Sequence, residues 1–314
     1  MKKDATVFLA PPFFDNGELS QDDTEPKANF LSALVETKLV EGKKLAEELE
    51  LLNKKYKFNL HQKFSNDAWE KIEKEHRFEF LKIEREKSLI EKKYEEEHSK
   101  IFEHKGVNYK YIEEDDVNGR RCYIFAADLE ENKMITSEAF QAFLEEKVSP
   151  HSKTVTVLTA GHGLSADDVN PYFTTSYRQG FEKDNLKKAR LGAEDFYKMI
   201  SSGLKANDVN IFSNFCYGFS MAEYLAEQDV KLFPNINQSI VFSDKDKNNP
   251  TYCNTRPEHL LHQTLNPYDV WTEANQFVHS VVKMGDKFSF TTIEEDEKGK
   301  AEINLNEKIN PFYL

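Results

Sequence analysis

Hydrophobic and polar positions change their period several times along this chain, and each change marks an element. The strongest signal lies between residues 153 and 227. Thr154-Val155-Thr156-Val157-Leu158-Thr159-Ala160-Gly161-His162-Gly163 is an apolar, β-branched run that closes on His-Gly. Asp208-Val209-Asn210-Ile211-Phe212-Ser213-Asn214-Phe215-Cys216 is a second such run that closes on cysteine. Between them, residues 192–200 carry apolar side chains at helical spacing. Strand, helix, strand in that order predicts two parallel neighbours joined by a right-handed crossover. Parallel neighbours end on a common edge of the sheet, where open α/β folds keep their chemistry. His162 and Cys216 are therefore expected to face each other across that edge.

Upstream, residues 1–27 hold Pro11-Pro12, Asn16-Gly17, Asp22-Asp23 and Pro26, all turn or breaker signals. They predict a largely irregular N-terminal arm, with Val7-Phe8-Leu9 and Phe13-Phe14 docking on the body as an added strand. From residue 28 to 105 the period becomes helical, with Leu31, Leu34, Leu45, Leu49 and Leu52 on one face. The pattern pauses over residues 59–64 and resumes behind a Ser65-Asn66-Asp67 cap, with Trp69, Ile72, Leu81, Leu89, Ile90 and Tyr94. The other face is dense in Glu and Lys, so two long antiparallel helices are expected: a helical hairpin that packs on the body or serves a protein partner.

Asn118-Gly119, between residues 107–112 and 121–127, predicts a β-hairpin beyond the acidic turn Glu113-Glu114-Asp115-Asp116. Thr136-Ser137-Glu138 opens a helix with Ser137 as its cap. After Cys216, residues 220–227 read as a helix, 238–243 as a short buried strand, 272–282 as a final helix and 287–293 as a late strand. The fold class is thus α/β, a mostly parallel central sheet flanked by helices and preceded by the helical hairpin. The expected parts are an arm (1–27), the hairpin (28–105) and a sheet domain (106–314).

Composition narrows the function classes. With 314 residues the chain can bury a sizeable core, and a charged fraction of 31% against 39% hydrophobic requires much solvated helical surface. A net charge of −13 argues against nucleic acid or anionic membrane as a general partner. Three widely spaced cysteines (Cys122, Cys216 and Cys253) form no disulfide framework and point to a reducing, cytoplasmic setting. The first residues have too short an apolar run for a signal peptide, and no stretch nears the roughly 20 apolar residues of a spanning helix. Export without an N-terminal signal stays open, and richness in Lys, Asn and Phe fits an AT-rich bacterial or protist genome and a secreted, for instance bacterial, effector.

His162 and Cys216 lie 216 − 162 = 54 positions apart. An apolar strand closing on His-Gly, followed at this spacing by Cys216-Tyr217-Gly218-Phe219-Ser220, resembles the caspase-like (clan CD) cysteine peptidases. That group includes caspases, legumains, gingipains, clostripain and separases, and the resemblance covers roughly residues 120–245. It implies a caspase-like sheet and cleavage of peptide bonds by a Cys–His dyad, with no metal or cofactor. Cys216 would attack the scissile carbonyl, at a strand–helix junction where the helix dipole favours thiolate. His162 would protonate the leaving amine and then activate the deacylating water. The N–H groups of Gly163 and Cys216 match the oxyanion hole.

The pocket positions that correspond are Asp128, Asn214 and Asp244, with Asp246 nearby. Their carboxylates would favour Lys or Arg before the cleaved bond. Asn214-Phe215 departs from the Gln-Ala that precedes the caspase cysteine, which removes the basis for an aspartate preference. The polar stretch 178–190, with Lys187-Lys188-Ala189-Arg190, is then a candidate internal processing site.

Other readings compete. A cysteine at a strand end is commonly a small buried hydrophobe, and a histidine beside glycine is commonly a turn residue. It is the pair in this order that points to chemistry. Gly218-Phe219-Ser220-Met221-Ala222 resembles the nucleophile elbow of α/β-hydrolases, with Asp269 and His279 as later partners. That fold requires more strands before the His-Gly segment than the helical upstream region supplies. Cys253, His259, His262 and His279 could ligate zinc, yet lack the paired short spacings of structural sites. A non-catalytic interaction scaffold that binds through helices 28–105 is the remaining alternative.

Overall fold

A computed structural model describes residues 2–10, 99–115, 119–126, 136–161, 163–164, 172–174, 190–215, 218–243, 277–295 and 301–305. It also describes positions 51, 55, 82, 85–86, 89–90, 93–94 and 96–98. In chain order the strands are β1 (Lys3–Ala10), β2 (Ser99–His104), β3 (Val107–Asp115), β4 (Arg121–Ala126), β5 (Ser152–Gly161), β6 (Gly163–Leu164), β7 (Tyr172–Thr174), β8 (Arg190–Gly192), β9 (Asp208–Phe215), β10 (Ile236–Ser243), β11 (Phe277–Met284), β12 (Lys287–Glu295) and β13 (Ala301–Leu305). Helix α1 (Ser137–Phe143) precedes β5, α2 (Ala193–Gly203) joins β8 to β9, and α3 (Gly218–Ala226) follows β9. The architecture is α/β, a large mixed sheet flanked by helices.

Ten strands form one sheet in the order β13-β12-β11-β10-β9-β5-β1-β4-β3-β2. The five central strands, β4-β1-β5-β9-β10, run parallel. The flanks pair antiparallel, β3 and β2 beyond β4, and β11, β12 and β13 beyond β10. The expectation of a mostly parallel sheet therefore describes the middle, and the sheet as a whole is mixed.

Both faces of this middle are buried. Val7, Leu9, Phe125, Val157, Ile211 and Val241 join one core with Phe140, Phe143, Phe196, Ile200 and Leu225 of the helices. On the opposite face Phe8, Ile124, Leu158, Phe212 and Ile240 are buried too. Burial on both sides is why these strands read as near-continuous apolar runs. The Phe143 ring lies 4.5 Å from Phe125, 5.2 Å from Tyr111 and 5.5 Å from Phe102, which pins α1 over β2, β3 and β4. Each such aromatic pair adds about 0.5–1.5 kcal/mol beyond the area it buries.

Several expectations need correcting. Lys3–Ala10 lies in the middle of the sheet between β4 and β5, so Val7-Phe8-Leu9 does dock as a strand, but as a central one rather than as an addition from a largely irregular arm. Thr136 caps α1 instead of Ser137, its Oγ1 accepting from Ala139 N at 3.1 Å. The final helix read over 272–282 is contradicted from Phe277 onward by β11, whose Val278, Val281 and Val282 favour a pleated, packed surface. Residues 272–276 are outside the described set.

Within the region read as a hairpin of helices, described positions from 51 to 98 are helical. Lys55 Nζ meets Glu86 Oε2 at 2.7 Å. The expected turn, and the bounds of the two expected helices, fall outside the described residues. Helix gives way to strand at Ser99, earlier than residue 105, and β2 returns into β3 through Lys105 (φ 52°) and Gly106 (φ 76°). Two successive positive φ angles are those of a type I′ turn, which suits the twist of a two-residue hairpin loop.

The β3–β4 hairpin is as expected, although β3 extends through Glu113, Glu114 and Asp115. Cations make that extension stable. Arg121 bonds Glu113 and, at 2.6 Å, Asp115; Lys100 reaches Glu113 at 2.8 Å and Lys3 reaches Asp115 at 3.1 Å. Burial alone would push both carboxyls up, but the hydrogen bonds from these cations outweigh it and hold them below the ordinary carboxylate range. Among the described residues no helix is long and apolar enough to cross a membrane.

Candidate functional site at the strand ends

The five parallel strands end along one edge, at Ala126, Ala10, Gly161, Phe215 and Ser243. Their register is level there. Ala10 pairs with Ala126, Gly161 with Phe215, and Asn214 with both Ala160 and Phe242. This is the edge at which helix-covered parallel sheets place ligands and chemistry.

Of the residues expected to act, His162, Cys216, Asp128, Asp244 and Asp246 lie outside the described set. The sequence nonetheless fixes what flanks them. His162 directly follows Gly161 and Cys216 directly follows Phe215, the two members of one register pair. Gly163 opens β6 and pairs with Phe173 of β7. Asn214 sits in β9, one position before the strand's end.

Between β5 and α2 the chain forms a second, three-stranded sheet in the order β6-β7-β8. Sequence reading missed it, treating Arg190 as part of an exposed polar loop. Tyr172-Phe173-Thr174 was the available signal, a short aromatic and β-branched run. Arg190 belongs to β8, which leads straight into α2. Residues 175–189 of the candidate processing stretch are not among those described.

Helix α3 begins at buried Gly218, two positions after Cys216 in sequence. Its Ser220 is half-buried in the first helical turn. A nucleophile elbow holds its serine in the strained turn between strand and helix, a setting Ser220 does not occupy. His279, the later partner considered for Ser220 and for zinc, is fully buried on β11. Its Nδ1 lies 3.0 Å from Thr292 Oγ1, and the ring packs edge-on to Phe219 with centroids 4.9 Å apart. Asp269, Cys253, His259 and His262 fall outside the described residues. Among the described residues no group of three or more His, Cys, Asp or Glu is placed to hold a metal.

Tyr197 ties the supporting elements together and was not singled out from sequence. Its hydroxyl donates to Met221 O of α3 at 3.2 Å and shares a 3.1 Å hydrogen bond with Ser239 of β10. Burial pushes the Tyr197 phenol far above its ordinary range, so it stays protonated and keeps α2, α3 and β10 linked. No family model, curated protein or solved structure matches this chain.

Proposed function

We propose that the chain is a caspase-like cysteine endopeptidase whose nucleophile is Cys216 and whose general acid and base is His162. The observation that carries the reading is the Gly161–Phe215 register pair on adjacent parallel strands, each followed by one member of the dyad. The chain thereby leaves the sheet at neighbouring points on its C-terminal edge just before each of the two proposed dyad residues. The start of α3 at Gly218 adds a helix dipole of the sign that favours thiolate.

In the proposed reaction the Cys216 thiolate attacks the scissile carbonyl, and the carbonyl π electrons move onto oxygen. Backbone N–H groups of Gly163 and Cys216 stabilise that oxyanion. Collapse expels the amine, which takes its proton from His162 and leaves a thioester. His162 then removes a proton from water, whose oxygen attacks the thioester; the carboxylic acid product leaves, and the Cys216 thiolate and protonated His162 are regenerated. Asp128, Asn214, Asp244 and Asp246 form the proposed pocket, giving a preference for Lys or Arg. The region expected to be helical from residue 28, which ends before Ser99, is the proposed partner surface. The Lys55–Glu86 ion pair and the exposed Leu51 and Leu89 support that assignment.

A fluorogenic peptide library read with wild type beside Cys216→Ala and His162→Ala tests the proposal. Cleavage enriched for one residue class and lost in both variants is the expected result. Selective labelling of Cys216 by a peptidyl electrophile should accompany it. A Cys216→Ala protein that keeps its full cellular effect would instead assign the chain to the scaffold class.

A further inference from the structure

Beneath the strand-end site two hydroxyls are buried with no partner among the described residues. Thr159 of β5 is 0% exposed and Ser213 of β9 is 1% exposed. Thr159 Oγ1 and Ser213 Oγ make no hydrogen bond among the described residues. The two residues are register partners on adjacent parallel strands. They belong to a row that continues through Leu9 on one side and Val241 on the other. Leu9 and Val241 are part of the core shared with α1, α2 and α3, so both hydroxyls project to the helix-covered face.

Their place in the chain is not arbitrary with respect to the edge. Thr159 stands three positions before His162, and Ser213 three before Cys216. Two positions on from Thr159, on the same face, Gly161 brings no side chain to fill the space above the hydroxyl. Valine at 159 and alanine at 213 would satisfy the packing with no polar atom to bury, so a hydroxyl at each needs a reason. Neighbouring strands lie about 4.8 Å apart, a span that one water bonded to both oxygens bridges well.

We propose that Thr159 and Ser213 jointly hold one buried water, and that this polar tie fixes the separation of the β5 and β9 ends from which the dyad is presented. They are positioning residues, and the inference rests on the dyad reading above. Neither hydroxyl touches substrate. Their effect is to hold the sulfur and the imidazole at a productive distance, to which such reactions are steeply sensitive.

Full-length Thr159→Val, Ser213→Ala and the double variant test this against Thr159→Ser and Ser213→Thr, which keep a hydroxyl. Each single apolar variant should melt slightly below wild type, because the remaining hydroxyl loses its bridge, whereas the double variant should melt at the wild-type temperature or above, because both buried hydroxyls are gone. In all three, kcat should fall at least about tenfold with KM little changed, and the rate of Cys216 alkylation across pH should fall with it. The hydroxyl-keeping variants should restore both. A folded double variant with wild-type kcat and an unaltered alkylation profile would overturn the proposal. A crystal structure supplies a readout that needs no activity. Density for a water within hydrogen-bond distance of both oxygens is the expected result, and hydroxyls bonded to protein groups instead would refute it. An active Cys216→Ala protein would remove the dyad reading while leaving that crystallographic test intact.

Discussion

Replacing Gly203 by alanine sets two effects of opposite sign against each other. Gly203 is the last residue of α2, and helix propensity alone credits alanine there with up to about 1 kcal/mol. The surroundings oppose it. A Cβ at 203 would meet Leu144 Cβ at 2.8 Å and the backbone oxygen of Gln141 at 2.9 Å. Carbon atoms pack best at about 3.5–4.0 Å, so the added methyl intrudes by roughly 0.7 Å. Neither obstacle is the tip of a flexible side chain. Leu144→Ala keeps its own Cβ and cannot relieve the contact, and a main-chain oxygen moves only with its helix. Helix α2 must therefore lift off α1, and such overpacking costs about 1–3 kcal/mol. The expected net effect is destabilisation by about 1–2 kcal/mol, with no rescue in the Gly203→Ala, Leu144→Ala double variant. Urea unfolding with an unchanged m-value measures it directly. A Gly203→Ala protein as stable as wild type, or more so, would show that propensity outweighs packing and that the two helices are not in this contact.

Two buried tyrosines should respond oppositely to loss of their hydroxyls. Tyr197→Phe deprives Ser239 and Met221 O of a partner and should cost about 1–2 kcal/mol at neutral pH. Tyr123 has no hydrogen-bond partner for its hydroxyl among the described residues, so Tyr123→Phe should be neutral or slightly stabilising. Burial, with a smaller push from Glu113, raises the Tyr123 phenol to about 12. A pKa raised on folding gives stability that is complete below the unfolded value near 10 and is lost as pH climbs toward 12. Urea midpoints from pH 8 to 11.5 should accordingly fall less steeply in Tyr123→Phe than in wild type. Arg121→Ala tests the acidic end, since Glu113 and Asp115 are held below the ordinary range and their contribution is present above about pH 4 and lost below it. The gap to wild type should be about 1 kcal/mol at neutral pH, shrink on acidification and narrow in high salt, because these groups are partly exposed.

Local sequence revealed the elements whose burial is uniform. β5, β9 and β10 are covered on both faces and leave long apolar runs, while α2 and α3 carry a plain helical period. Where a strand is short or one-sided, the signal fails. β2 buries Phe102 but exposes Ile101 and Glu103, so it merged with the Glu- and Lys-rich helical stretch before it. Val7-Phe8-Leu9 was legible as a strand, but the Pro11-Pro12 that follows made it read as an addition to an irregular arm rather than as a central member of the sheet. β11 was absorbed into an apparent helix although Gly285, at φ 67°, marked the hairpin turn into β12. For the site, sequence order yielded the strand ends. That Gly161 stands beside Phe215, and Thr159 beside Ser213, depends on inter-strand register, which is set by long-range packing and not by neighbours in the chain.

The central seat of β1 bears on how the molecule is made. Ala5 pairs with Arg121 on one side and Val155 on the other, so a nascent chain carries an apolar segment whose mates are synthesised far later. Non-local pairing of this kind slows folding and prolongs the life of sticky intermediates. A ribosome stalled before residue 152 would display Val7-Phe8-Leu9 without the β5 neighbour that completes its hydrogen bonding. Growth of the sheet must therefore wait on the downstream half, and chaperone demand should fall mainly in that interval.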